Sequence, residues 1–141
     1  MSEDWDNLIS EFGITPNQVK QWMEYIESDD FKKVTGGIVE ENNKNYYIAN
    51  SDLHGKGIFA NIDLNEGDLI GSSLSNNKRT LIARYANHSD NANSTLRNNN
   101  LYTKQFINKN DEILIDYREG KDGLIVLKLF LKYGKSWHEY I

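Results

Sequence analysis

Trp5, Leu8, Ile9 and Phe12 recur at helical spacing among acidic and polar residues, so the first dozen positions predict a short amphipathic helix. Ser2 serves as its N-cap, acids fill its first turn, and Gly13 is its stop. Thr15-Pro16-Asn17-Gln18 then has the form of a capping box with proline at the first helical position. Val19, Trp22, Met23 and Ile26 follow on one face, which predicts a second helix to about Ser28. Residues 1–30 thus form a helical hairpin whose apolar stripes, both tryptophans included, must pack on the body of the domain.

From Val34 the pattern changes to short β-prone runs broken by Gly, Asn and Asp. GGIVEE and NYYIAN, flanking Asn42-Asn43-Lys44, read as a hairpin. GIFA, DLIGS, TLIARYA, STLR, LYTKQF and EILIDY read as further strands, with Asn98-Asn99-Asn100 turning between two of them. GLIVLKLFLKYG, with its Lys128/Lys132 spacing and Gly134 as C-cap, predicts a closing helix. The expectation is an α+β chain, mainly β. It comprises a helical hairpin over 1–30, a β-rich body over 31–120 and a helical tail over 121–141.

Composition narrows the chemistry. With 141 residues the chain can bury one modest core. No apolar run approaches the roughly 20 residues of a membrane-spanning helix, and the N-terminus is acidic where a signal peptide is basic, so the expected location is the cytoplasm. Cysteine is absent, which excludes disulfides, thiol nucleophiles and cysteine–zinc clusters. His54, His88 and His138 stand too far apart in sequence to suggest a metal site, so none is expected. Residues 1–41 carry ten acids against three bases, an imbalance that disfavours nucleic acid as a partner and favours a basic polypeptide.

Three segments hold candidate chemistry: HGKGIFA at 54–60, NHSDNAN at 87–93 and NDEILIDY at 110–117. Glycines 55 and 57 would let backbone groups approach a ligand closely. The same run fits a dinucleotide fingerprint, but NIDLNEGD behind it makes a poor helix, which excludes that site. His88-Ser89-Asp90 has the residue types of a hydrolase triad, yet consecutive residues of an extended chain point to opposite faces and cannot relay a proton.

Together and in this order, the three segments resemble the SET domain over about residues 46–119. HGKGIFA with NIDLNEGDLIG resembles the family's opening glycine loop, RYANHSDNAN its Asn-His-Ser segment, and INKNDEILIDYRE the strand that ends on its Asp-Tyr pair. The resemblance implies a β-clip fold of small curved sheets with knot-like threading of the C-terminal strand. It implies S-adenosylmethionine as cofactor, and methyl transfer to the side-chain amine of a protein lysine.

Carried over by position, backbone groups around His54, Gly55, Lys56 and Gly57 would meet the cofactor's amino and carboxylate groups. Asn87 would bond the cofactor and His88 would present backbone atoms to its adenine, with Phe59, Arg84 and Tyr85 also among the cofactor-binding residues. Tyr117 would be the catalytic residue. Leu96, Ile115 and Asp116 would line the substrate channel. Leu96 and Ile115 are aliphatic, and without a hydroxyl to pin the amine the channel would permit more than one methylation.

The chain departs from the family pattern at Asp90 and Ala92, where cysteine and proline are usual. Only about a dozen residues separate Gly71 from Arg84, where the family inserts one wall of the substrate groove. The N-terminal hairpin, the C-terminal aromatics or a second subunit would have to supply that wall. Two other functions fit the same residues: a β-clip binding module without catalysis, and a cofactor-binding protein without turnover. The substrate protein, the methylation state and the oligomer are not specified by the sequence.

Overall fold

A computed structural model describes residues 3–30, 38–39, 44–53, 55–75 and 78–119. Ser2, His54 and the expected C-terminal helix lie outside the described residues.

The helical hairpin is present. α1 (Glu3–Glu11) buries Leu8 and Ile9 and carries Glu3, Asp4 and Asp6 in its first turn, where the helix dipole favours them. Gly13, at φ 68°, ends it as a Schellman motif. Its N–H donates to the Ser10 carbonyl at 3.0 Å and that of Ile14 to the Ile9 carbonyl at 2.9 Å. α2 (Pro16–Ile26) starts on the expected capping box, the Thr15 hydroxyl accepting from the Gln18 N–H at 3.2 Å and the Gln18 side chain accepting from the Thr15 N–H at 2.9 Å. Ile9, Ile14 and Val19 form a small core of their own, with Trp5, Phe12, Trp22 and Met23 packed against it.

Among the described residues the body consists of three small sheets. β1 (Ile38–Val39), β5 (Leu74–Ser75) and β6 (Lys78–Thr80) form the first, in the order β1-β6-β5. β4 (Leu69–Ser72), β8 (Ser94–Arg97) and β9 (Asn100–Thr103) form the second, in the order β4-β9-β8. Asn98 and Asn99, at φ 51° and 66°, make the two-residue turn between β8 and β9.

β2 (Tyr46–Asn50), β3 (Lys56–Ala60), β7 (Asn87–His88) and β10 (Glu112–Ile115) form the third sheet, in the order β2-β3-β10-β7. β10 runs antiparallel to β3, pairing Glu112 with Phe59, and parallel to β7, pairing Leu114 with Asn87 and Ile115 with His88. Ile58, Ala60, Ile70, Ile82, Leu101, Ile107, Ile113 and Ile115 close the main core between the sheets. Each isoleucine or leucine among them contributes roughly 1.5–3 kcal/mol by leaving water.

Two expectations are corrected. Ile38–Val39 does not form a hairpin with 46–50; it pairs in parallel with β6, Ile38 opposite Arg79, while β2 pairs with β3 across the Ser51–Gly55 turn. TLIARYA is not a strand: Leu81–Tyr85 is a short helix, α3. Leu, Ala and Arg are good helix formers, and the helical turn lets Ile82 bury in the core while Leu81 and Tyr85, one turn apart, both pack on it.

Candidate active site

The three sequence segments converge on the β3–β10–β7 ladder. The β2–β3 turn closes with the Ser51 N–H donating to the Gly55 carbonyl at 2.8 Å, and the Ser51 hydroxyl accepts from the Leu53 N–H at 3.0 Å. Gly55 has φ 47°, a conformation that favours glycine, and no atom lies within 4 Å of where a Cβ would stand. Gly57 is needed for the opposite reason. A Cβ there would lie 2.3 Å from Glu112 Oε2 and 2.9 Å from Asn87 Nδ2. Lys56 is exposed, and its carbonyl accepts from Asn87 Nδ2 at 3.2 Å. Phe59 is half-buried and stacks on Tyr47, ring centroids 5.7 Å apart.

Asn87 is buried and its amide also donates to Glu112 Oε2 at 2.9 Å. The buried His88 ring links the segments. Its Nδ1 accepts from the Tyr117 N–H at 3.1 Å, so the proton of the neutral ring sits on Nε2, which lies 2.9 Å from Asp90 Oδ1. The Ser89 N–H donates to the Ile115 carbonyl at 3.0 Å. Asn93, the last residue of the second segment, grips β10 twice. Its Nδ2 donates to the Glu112 carbonyl and its Oδ1 accepts from the Leu114 N–H, both at 2.9 Å.

Tyr117 stands at the end of β10. Part of its surface stays exposed, but the hydroxyl end is enclosed and donates to the Ala86 carbonyl at 2.5 Å. Burial drives its pKa well above the ordinary tyrosine value, against the opposing pull of the Arg84 and Arg79 cations. The phenol is therefore neutral at physiological pH and cannot act as a base. Burial in turn lowers both arginine pKa values. Arg84 pairs with Glu27 and sits 4.8 Å from the Tyr85 ring centroid, while its buried Nε has no hydrogen-bond partner among the described residues.

Of the channel candidates, Leu96 is half-buried and Ile115 buried, and both pack in the cluster that also takes Tyr85 and Tyr117. Asp116 faces a polar network instead. Its Oδ1 accepts from the Arg118 N–H at 3.0 Å and from Arg118 Nη1 at 3.2 Å, and lies 3.8 Å from His88 Nδ1.

Residues that the sequence did not single out complete the site. Trp5 of α1 meets Tyr117 edge to face, centroids 5.6 Å apart and planes at 88°. Asp4 Oδ2 accepts from the Ser89 hydroxyl at 3.2 Å and from the Asp90 N–H at 2.9 Å. Arg118 joins Glu11, at 2.6 Å, to Asp90, at 2.7 Å. Arg118 first, and His88 after it, hold the Asp90 carboxyl below the usual carboxylate range. Helical spacing marked Trp5 as a packing residue, but nothing local says that its partner is a tyrosine over a hundred positions away. Glu112 carried a weak signal, lying within the third segment at strand spacing from Leu114.

Among the described residues, no group of three His, Cys, Asp or Glu could hold a metal ion, and no helix is long and apolar enough to cross a membrane. A surface depression at Arg97, Asn98, Asn100 and Tyr102 is lined by none of the candidate residues.

Solved structures of SET-domain methyltransferases match the chain over about half its length. It is similar to a Plasmodium falciparum putative histone methyltransferase, with 25% identity and TM-score 0.44, over 52% of this chain and 93% of that one. A humanized mutant of Chaetomium thermophilum Polycomb Repressive Complex 2 bound to the inhibitor GSK126 matches with 18% identity and TM-score 0.44, over 53% of this chain and 15% of that one. ctPRC2 in an autoinhibited conformation bound to S-adenosylmethionine matches with 16% identity and TM-score 0.44, over 60% of this chain and 17% of that one. The chain thus spans less than a fifth of either of those two chains. No protein-family model and no curated protein matches the sequence. Likeness at this level carries no inference about activity.

Proposed function

We propose that this chain transfers a methyl group from S-adenosylmethionine to the side-chain amine of a lysine in a basic protein. One observation carries the proposal: the glycine loop, Asn87-His88 and Tyr117 meet on adjacent strands, with the Tyr117 N–H bound to the His88 ring and the Asn87 amide bound to the loop carbonyl. The β-clip architecture with its C-terminal threading belongs to the same proposal.

The residues suit the cofactor. Gly55 leaves backbone open to a ligand, and the Glu112 carboxylate beside the loop favours a cationic ammonium over a second carboxylate. Gly55, Lys56, Gly57 and Asn87 would hold the amino-acid end, with His88, Arg84 and Tyr85 flanking the nucleoside. When bound, S-adenosylmethionine supplies a sulfonium that makes its methyl group electrophilic and leaves as a neutral thioether.

The chain's own residues orient and desolvate. Tyr117, neutral and already donating to Ala86, keeps a lone pair on its oxygen with which to accept an N–H of the incoming amine. Such a phenol aligns the amine without deprotonating it. Lysine, near pKa 10.4 in water, sheds its proton because the aliphatic surround of Leu96 and Ile115 and the two buried arginines disfavour a further cation.

Calorimetry with S-adenosylmethionine, followed by labelled-methyl transfer to basic proteins, tests this. The wild-type chain should bind and label. Tyr117→Phe should retain binding and lose about 100-fold or more in rate. An absence of binding would leave the β-clip binding module, and binding without transfer would leave a cofactor protein without turnover.

A further inference from the structure

Contacts that join the helical hairpin to the body gather around Tyr117. Trp5 lies edge to face on the Tyr117 ring, centroids 5.6 Å apart. Asp4 accepts from the Ser89 hydroxyl and the Asp90 N–H, which follow His88, whose ring holds the Tyr117 N–H. Glu11 pairs with Arg118, the residue after Tyr117. Glu27, at the end of α2, pairs with Arg84, whose cation acts on the Tyr117 phenol. In each of these polar contacts the hairpin supplies a carboxylate and the body a cation or a donor. The Tyr117 hydroxyl itself is enclosed and donates to the Ala86 carbonyl at 2.5 Å.

This seat is easily loosened. The Glu11 and Glu27 side chains are more than half exposed, so water and salt screen both ion pairs. Ile9, Ile14 and Val19 give the hairpin a core separate from the one that closes the sheets. The Gly13 stop and the Thr15 box hold its helices by local bonds. The hairpin can therefore leave the seat as a folded unit and spare the main core.

We infer that the helical hairpin is a lid over Tyr117, which swings off its carboxylate seat to admit the target side chain. The inference rests on the function proposed above, in which a lysine amine must reach the Tyr117 oxygen. With the lid closed, that oxygen is covered. A basic substrate brings cations that compete with Arg118 and Arg84 for Glu11 and Glu27, so its own approach loosens the seat.

The experiment locks the lid and then frees it. The chain has no cysteine, so Asp4→Cys with Ser89→Cys introduces its sole thiols, where two side-chain oxygens now lie 3.2 Å apart. Two readouts are taken: nitration of Tyr117 by tetranitromethane, mapped by peptide mass spectrometry, and labelled-methyl transfer to a basic protein. Oxidation of the pair should slow nitration and lower transfer by roughly tenfold or more, and reduction should restore both. Cofactor affinity should stay within about threefold throughout. Glu11→Gln with Glu27→Gln should act in the opposite direction and needs no bridge. At low salt it should speed Tyr117 nitration by roughly three- to tenfold, the fold-change that two exposed ion pairs support. The wild-type rate should approach that value at about 0.5 M salt. The α2 amides of the double variant should keep their protection from hydrogen exchange.

A bridged chain that transfers methyl as fast as its reduced form would overturn the inference, since the hairpin would then be a fixed wall. So would Tyr117 nitration that ignores the bridge, the lost charges and the salt alike. Loss of α2 protection in step with nitration also overturns it, because the hairpin would then melt and not swing. A wild-type chain that neither binds cofactor nor transfers methyl removes the proposed function, while nitration still decides whether the hairpin opens.

Discussion

The glycine-loop side of the candidate site is held by sheet register, and the phenol side is held by docking. Around Gly57 every fixed group belongs to neighbouring strands or the turn between them: Ser51, Lys56, Asn87 and Glu112. Around Tyr117 the outer groups come from α1, and the bond from Ser89 to Asp4 joins positions 85 apart in sequence. The strand-built side depends on the main core. The docked side depends on whether a two-helix hairpin with its own small core stays seated, through contacts that are partly exposed. Disturbing α1 should therefore change the tyrosine's surroundings and spare the glycine loop.

The largest such effect is expected from Trp5→Ala. Removing this partly buried ring should cost about 2 kcal/mol in a denaturant melt, below the range for fully buried aromatics. It should also lower the Tyr117 pKa in an ultraviolet titration, because burial is what raises it. Cofactor affinity should stay within about threefold. A tenfold loss of affinity would mean that the two sides are one unit.

Thr15→Ala, which removes half of the capping box without touching the site, should cost about 1 kcal/mol and be read only in the hairpin's stability. The smallest effect is expected from acid. Asp90's folded pKa is depressed, so its contribution is present above the unfolded value near 4 and is lost as pH falls through the folded one. Trp fluorescence should report loosening of α1 in that acidic window, and Arg118→Ala, which removes Asp90's main partner, should narrow it. The underlying ion pairs are exposed and screened by solvent, which keeps the effect small.

What the sequence made legible follows the range of the interactions. The Thr15/Gln18 box and the Gly13 stop are local, and both appear as expected. The strands at Lys56–Ala60, Leu69–Ser72, Ser94–Arg97, Asn100–Thr103 and Glu112–Ile115 were readable because turn residues flank them, whereas the two- and three-residue strands at Leu74–Ser75, Lys78–Thr80 and Asn87–His88 were too short to leave a pattern. The partner of Ile38–Val39 was not, since parallel pairing with residues about forty positions away leaves no local mark, and Asn42-Asn43-Lys44 offered a nearer hairpin. Leu81–Tyr85 was misread because five residues are too few to reveal that their burial follows a helical turn. The three motif segments were legible as words, and their meeting on one ladder was not. Asp4 was hidden for the same reason, as it is defined by the group it meets and not by its neighbours in the chain, and Glu112 carried only the weak signal of its strand spacing.

The parallel pairing of β7 with β10 also limits where this chain can change length. A slip of one residue would turn His88 and Ile115 away from their present face, so that pair tolerates no insertion within it. Between the two strands lies the Asn98–Asn99 tip, whose two left-handed residues connect β8 to β9. Extra residues placed there would lengthen a surface loop at little entropic expense and leave the junction of the two motif segments intact.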